Sequence, residues 1–204
     1  MAYTATQIIT MAQRQLVDID DDSYLADCLT YVNEACRRFA SETHCCQESA
    51  TVNLTTNKVL FSTVLAAVTG YIETLWIARV QLNSGTRYSI LPKMPLSESK
   101  DLLAVTTLVP TRYMVFGKTL FTDLHPSAVP SISLTLFASF VPTDLTSVDD
   151  ELKIPDMWAQ AIVKYVVFCC RIADRDAGLA NGAFQEYEAI RVQASAFYLA
   201  QAEA

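Results

Sequence analysis

Apolar residues first recur at a helical period: Ile8, Met11, Ala12 and Leu16 fall on one face of a helix predicted from Thr6 to about Val17. Thr4 and Gln7 stand at its start at the spacing of a capping box, in which each side chain satisfies a free backbone N–H of the other's residue. The acidic run Asp18 to Asp22 interrupts this pattern. Ser23 then stands as the expected N-cap of a second helix, along which Leu25, Cys28, Leu29, Val32, Cys36 and Phe39 line one face. Asn33, Glu34, Arg37 and Arg38 occupy the other face.

From Gln47 the period shortens to two and turn residues appear. Thr51–Leu54 and Lys58–Phe61 flank Thr55-Thr56-Asn57, a pattern that predicts a hairpin. A longer strand is expected over Tyr71–Leu82, with Ile72, Trp76, Ala78, Val80 and Leu82 on one face, and Asn83–Thr86 turns it into Tyr88–Leu91. Pro92 and Pro95 break the chain, and Ser97 is placed to cap a short helix through Leu103. Arg112–Phe116 and Thr119–Thr122 form a second hairpin around Gly117-Lys118. Along Ser131–Phe140, Ile132, Leu134, Leu136, Ala138 and Phe140 alternate with polar residues, which predicts a strand with one buried face. The middle of the chain is thus expected to be an antiparallel meander of five to seven strands.

Helical periodicity returns near the end. Pro155 suits a first helical turn, where its missing N–H costs nothing, and Asp156 complements the positive end of the helix dipole. Trp158, Ala161, Ile162, Tyr165, Cys169 and Ile172 form the expected buried stripe. A glycine-marked break is expected near Asp176-Ala177-Gly178, before a last helix from Asp176 or Asn181 to Gln201 that presents Phe184, Tyr187, Ile190, Ala194 and Tyr198. The fold class is α+β: one domain over residues 1–204, with a helical bundle body of 1–46 and 152–204 and a β-rich insertion of 47–151.

Composition narrows the function. The 204 residues can bury a core without covalent staples. They are 51% hydrophobic and 18% charged, leaner in charge than ordinary globular proteins, so apolar surface is left for partner subunits to cover. A net charge of −7 and the lack of any basic run argue against a protein that wraps nucleic acid. The beginning of the chain has neither a basic n-region nor an apolar h-region, so no signal peptide is expected. Val59–Ile72, the most apolar window, is about 14 residues long and too short to span a membrane.

The candidate chemistry is sparse. His44-Cys45-Cys46 places an imidazole beside two thiols, but adjacent residues rarely point at each other and no third orienting group is evident. With only His44 and His125 as histidines and no CxxC, a zinc site is not expected, and the six cysteines are read as reduced thiols. Cys28, Cys36, Cys169 and Cys170 lie on or beside apolar helix faces and act as small hydrophobes. Asp18, Asp20, Asp21 and Asp22 lack the glycine and closing glutamate of a calcium loop. Asp144, Asp149, Asp150 and Glu151 are read as a solvated loop, with the lining of a DNA-traversed lumen as the alternative. Arg87-Tyr88 and Arg112-Tyr113 pair charge with an aromatic ring but sit in an acidic chain, which favours strand packing over base stacking. The five glycines form no phosphate-binding loop, and no cofactor or metal is expected.

Helix, helix, sheet, helix, helix is the resulting order. With Tyr24–Ala35, Tyr113–Phe121, Leu136–Leu145 and Ile154–Ile190 it resembles the head-to-tail adaptor (head-completion or connector) proteins of tailed bacteriophages over nearly the whole chain. The resemblance implies a non-enzymatic virion protein in the neck, assembled in the host cytoplasm. It implies a homo-oligomeric ring of about twelve copies that docks on the portal protein, seats a tail or nozzle protein and extends the channel through which DNA passes without specific binding. By analogy with relatives that dock through a C-terminal segment, Ala194–Ala204 becomes the portal-contacting tail, with Ala194, Phe197, Tyr198 and Leu199 as contact residues. Two alternatives stand beside this reading: a neck or tail-terminator protein of the same particle, and a small intracellular enzyme using the Cys45 region.

Overall fold

The computed structural model describes residues 2–17, 19, 27–54, 58–60, 71–81, 87–95, 97, 110–116, 119–123 and 132–203. Helix α1 spans Ala5–Gln13, α2 Cys28–Thr43, α3 Ala159–Ala173 and α4 Ala177–Glu203. Strands β1 (Gln47–Leu54), β2 (Lys58–Leu60), β3 (Tyr71–Gln81), β4 (Arg87–Leu91), β5 (Tyr113–Phe116), β6 (Thr119–Thr122) and β7 (Ile132–Phe140) lie between α2 and α3. The mixture is α+β. Two compact units result: residues 1–46 with 140–204, and residues 47–139.

In the helical unit α1 begins as its sequence dictates. The Thr4 hydroxyl accepts from the Gln7 N–H, and the Gln7 side chain accepts from the Thr4 N–H at 3.0 Å. The expected N-cap Ser23 and the run Asp18–Asp22, apart from Ile19, lie outside the described residues; as described, α2 starts at Cys28 with Asp27 in the cap position.

Helix α3 is the hub, touching α1, α2 and α4. That position corrects the single buried stripe expected for it. Val163, Val166, Val167, Cys170 and Arg171 are buried as well, whereas Ile172, placed on the stripe by periodicity, is exposed. A helix enclosed on several sides needs more than one apolar face. α1 runs parallel to α3, as Gln160 meets Met11 and Lys164 meets Gln15, while Glu34 at Tyr165 with Phe39 at Trp158, and Phe184 at Phe168 with Tyr198 at Trp158, make α2 and α4 antiparallel to it.

The last helix begins at Ala177, beside the earlier of its two expected starts, so the break between α3 and α4 falls near Asp176 as expected but is not marked by a glycine. It is made at Asp174–Asp176, where Arg175 adopts a left-handed conformation (φ 62°) and Asp176 accepts the Leu179 N–H at 3.1 Å. Gly178 lies inside α4, not at the turn. The buried Arg171 guanidinium closes this end, donating to the Gln15 carbonyl at 3.1 Å with Asp176 at 3.9 Å. Pro155 precedes a 3-10 turn, Asp156–Trp158, that leads into α3.

The segment after Phe140 packs with the helices. Asn33 grips Leu145 from both sides, donating to its carbonyl at 3.0 Å and accepting its N–H at 2.8 Å.

The sheet unit is not a meander. Its four-stranded sheet has the order β1-β7-β3-β4 and its three-stranded sheet the order β2-β6-β5. The hairpin expected between Thr51–Leu54 and Lys58–Phe61 does not form: β1 pairs antiparallel with β7 from Gln47↔Ser139 to Leu54↔Ile132, and β2 pairs with β6. The expected β3–β4 and β5–β6 pairs do form, both antiparallel. On β7, Thr135 and Ser139 are buried along with Leu134, Leu136 and Ala138, so the second face, expected either to be wet or to contact a neighbour, is covered. Asp123, almost fully buried, ties the chain before β5 to the end of β6: it accepts the Thr111 N–H at 2.7 Å, the Arg112 N–H at 3.2 Å and the Thr111 hydroxyl. Met94 and Met114 pack with Phe121 beside it in sequence. The side-chain face expected on β3, the turns at Thr55–Asn57, Asn83–Thr86 and Gly117-Lys118, His125 and the helix expected beyond Ser97 lie outside what is described.

Candidate interaction surface

The four C-terminal candidates share α4 but not a face. A helix repeats every 3.6 residues, so Ala194 and Tyr198, four apart, point the same way, and that way is inward. Ala194 is fully buried, and the Tyr198 hydroxyl accepts from the Trp158 indole N–H at 3.2 Å. Phe197 stands at the flank, its ring 6.1 Å from that of Trp158 in an edge-to-face arrangement and still 41% exposed. Leu199 points outward and is 64% exposed.

The inward face of α4 is aromatic. Phe184 lies 4.9 Å from Phe168 between ring centroids, and Tyr187 lies 5.2 Å from Tyr165 and 6.2 Å from Phe39. Arg38 lies within 5.4–5.8 Å of the rings of Phe184, Tyr165 and Tyr187, where its cation meets the negative π faces. Tyr165 donates to Glu34 at 2.7 Å and Tyr187 donates to Glu42 at 3.4 Å. Burial, reinforced by the bond to Glu34, pushes the Tyr165 hydroxyl up to about 12. Burial likewise raises Tyr187, with Glu42 adding to it. These groups stay neutral and act as clasps between helices.

The outward face of α4 carries no charge. Gly182, Gln185, Ala189, Val192, Ala196 and Leu199 are all exposed, and they recur at alternating steps of three and four. Nothing lies within 4 Å of where a side chain on Gly182 would begin. Of these residues only Leu199 stands among the contact residues expected from the sequence. A heptad count over α4 finds the whole seam.

The other candidates resolve into structure. His44 ends α2 in a left-handed conformation (φ 56°), its N–H bonded to the Ala40 carbonyl at 3.0 Å. Cys45 and Cys46 are buried with their sulfurs 3.9 Å apart, and the Cys46 thiol donates to the Lys153 carbonyl at 3.5 Å. Burial pushes Cys36 and Cys169 up to about 12, and Cys170 is held protonated by its hydrogen bond to Cys28 and by burial. All six cysteines are free thiols. Among the described residues no group of three or more His, Cys, Asp and Glu side chains is arranged to hold a metal. In the acidic loop, Asp150 accepts the N–H groups of Thr146 and Ser147 at 2.8 Å each, and these bonds hold its carboxyl below the ordinary range. Both carboxylate oxygens of Asp144 accept from the single Nη1 of Arg37, at 2.7 and 2.6 Å. Asp150 therefore serves the loop's own geometry, and Asp144 ties the loop to α2.

What these units offer is surface: an aromatic seam turned inward and an apolar seam turned outward. A family model described as SU10 adaptor protein matches residues 3–203. The chain belongs to the SU10 adaptor protein family. The SU10 adaptor family is a phage head-to-tail adaptor family, so the chain is a structural component of the virion, located at its neck, and membership implies a non-enzymatic role. No curated protein matches the chain. Among the described residues no helix is long and apolar enough to cross a membrane.

Proposed function

We propose that the protein assembles as a homo-oligomeric ring of about twelve copies joining the portal protein to a tail or nozzle protein and extending the DNA channel, each copy contacting the next through one repeated heterologous interface. The observation that carries this reading is α4, whose inward face is aromatic and whose outward face presents an uncharged, largely apolar seam from Gly182 to Leu199; exposed apolar surface of that extent is covered in an assembly. The segment bearing Ala194, Phe197, Tyr198 and Leu199 makes the portal contact. Leu199 and the exposed edge of Phe197 touch the portal, while Ala194 and Tyr198 seat the segment on its own bundle. The net charge of −7 suits a channel wall that DNA slides past without adhering.

The test is co-sedimentation of the purified protein with portal rings of its own particle, using the full chain, a Leu199→Glu variant and a chain lacking residues 194–204. Full-length protein should pellet with portals and both variants should be lost from the pellet. A full-length chain that ignores portals sinks the adaptor role proposed here. Unchanged binding by both variants sinks the assignment of the C-terminal segment alone.

A further inference from the structure

The outward seam of α4 is self-complementary in size, and its partner can be read from that. Small residues (Gly182, Ala189 and Ala196) alternate with larger ones (Gln185, Val192 and Leu199) at heptad spacing. Laid antiparallel on a second α4 about a twofold axis level with Ile190 and Arg191, Gly182 falls opposite Leu199, Gln185 opposite Ala196 and Ala189 opposite Val192. Every large residue then meets a small one. A parallel pairing would set each residue against itself, leaving gaps at Gly182 and Ala189 and crowding at Val192 and Leu199. The open space above Gly182 is where a leucine of the second copy would sit.

Charge fits the same arrangement. The nearest charges flanking the seam, Glu186 and Glu188, fall opposite Gln193 and Ser195 of the second copy, so no like charges meet. Glu188 is already paired with Arg191 at 2.7 Å. We infer that α4 pairs antiparallel with α4 of a second copy of this chain before the protein enters the particle, covering the seam from Gly182 to Leu199.

Area sets the strength of this pairing. From Gly182 to Leu199 the seam runs about 27 Å, and close packing along it buries on the order of 400 Å² on each copy. A stable dimer needs roughly twice that, so the pair is weak and reversible. Weakness suits a contact that must open. Self-pairing hides Leu199, so it competes with portal docking; only that consequence rests on the portal reading above, and the pairing stands without it.

Sedimentation of the full chain from about 1 to 300 μM should show a reversible monomer–dimer equilibrium. Val192→Glu, at an exposed site that leaves the fold intact by circular dichroism, should weaken it more than about tenfold, while Thr10→Glu on the exposed side of α1 should leave it unchanged. A mixture of Ala189→Cys and Val192→Cys proteins, oxidised gently with oxygen and copper phenanthroline, should give more disulfide-linked dimer than Val192→Cys alone. A chain that stays monomeric at 300 μM, or a dimer indifferent to Val192→Glu, overturns the pairing. Preferential linking of Val192→Cys to itself overturns the antiparallel arrangement. Portal binding that persists in a strictly monomeric chain defeats this inference and spares the proposed function; a dimer that never binds portals does the reverse.

Discussion

The helical unit and the sheet unit are held together by different forces. In the helical unit a hub helix, α3, is packed on three sides, and the polar groups at its rim are paired between helices: Tyr165 with Glu34, Tyr187 with Glu42, Lys164 with Glu186 at 2.6 Å. In the sheet unit the backbone ladders carry the order, and the buried carboxylate of Asp123 fixes the approach to the β5–β6 hairpin. The lesson is that the first unit should fail by cavity and the second by an orphaned hydrogen bond.

Phe39→Ala should show the largest effect. Phe39 is fully buried, with the rings of Trp158 and Tyr187 at 6.3 and 6.2 Å, so truncation leaves a cavity between α2, α4 and the turn before α3. A loss of about 4 kcal/mol is expected in urea unfolding followed by tryptophan fluorescence. Asp123→Ala comes next, at about 3 kcal/mol, because two backbone N–H groups and a hydroxyl lose a charged acceptor. Hydrogen exchange should speed up over residues 110–123 and stay slow in α3. Equal acceleration in both would show that the two units do not respond separately.

Much of this contrast was legible in the residues, for a physical reason. Thr4 with Gln7 and the strands around Gly117-Lys118 are local devices, decided by neighbours three to five residues apart, and they form as expected. β1 joins β7 across some eighty intervening residues, and no turn chemistry near Thr55 could announce it. Turn residues there suggested the nearest partner, and the sheet chose a distant one. The helix break shows the converse: Gly178 drew attention because glycine tolerates any turn, yet Arg175 takes the left-handed conformation and the glycine begins a helix. At the interaction surface, Phe197, Tyr198 and Leu199 were visible as an aromatic and apolar end. Which of them face outward depended on where Trp158 lay.

Alkaline titration sharpens the contrast without breaking the core. With its hydroxyl raised to about 12 from about 10 in the unfolded chain, Tyr165 keeps its proton in the folded protein over a range where the unfolded chain releases it. Stability is therefore unaffected by this group below pH 10 and falls as pH rises from about 10 to about 12. Tyr165→Phe should flatten that fall in unfolding curves taken across this range. An unchanged slope would mean that the neighbouring Tyr187 dominates alkaline sensitivity.

The smallest expected effect tests whether surface charge adds to the clasp that joins the 140–151 segment to α2. Arg37 and Asp144 meet at 2.6 Å, but their side chains are 47% and 51% exposed, so water screens the pair and ordering two long groups offsets much of its attraction. The adjacent Asn33 clasp to the Leu145 backbone is partly buried and does not depend on ionisation. A double-mutant cycle of Arg37→Ala and Asp144→Ala should give a coupling of about 0.5 kcal/mol that shrinks in 1 M salt, whereas Asn33→Ala should cost about 2 kcal/mol with no salt dependence. A coupling as large as the Asn33 effect would place the ion pair, and not the side-chain grip on the backbone, as the tie that holds this segment to the helices.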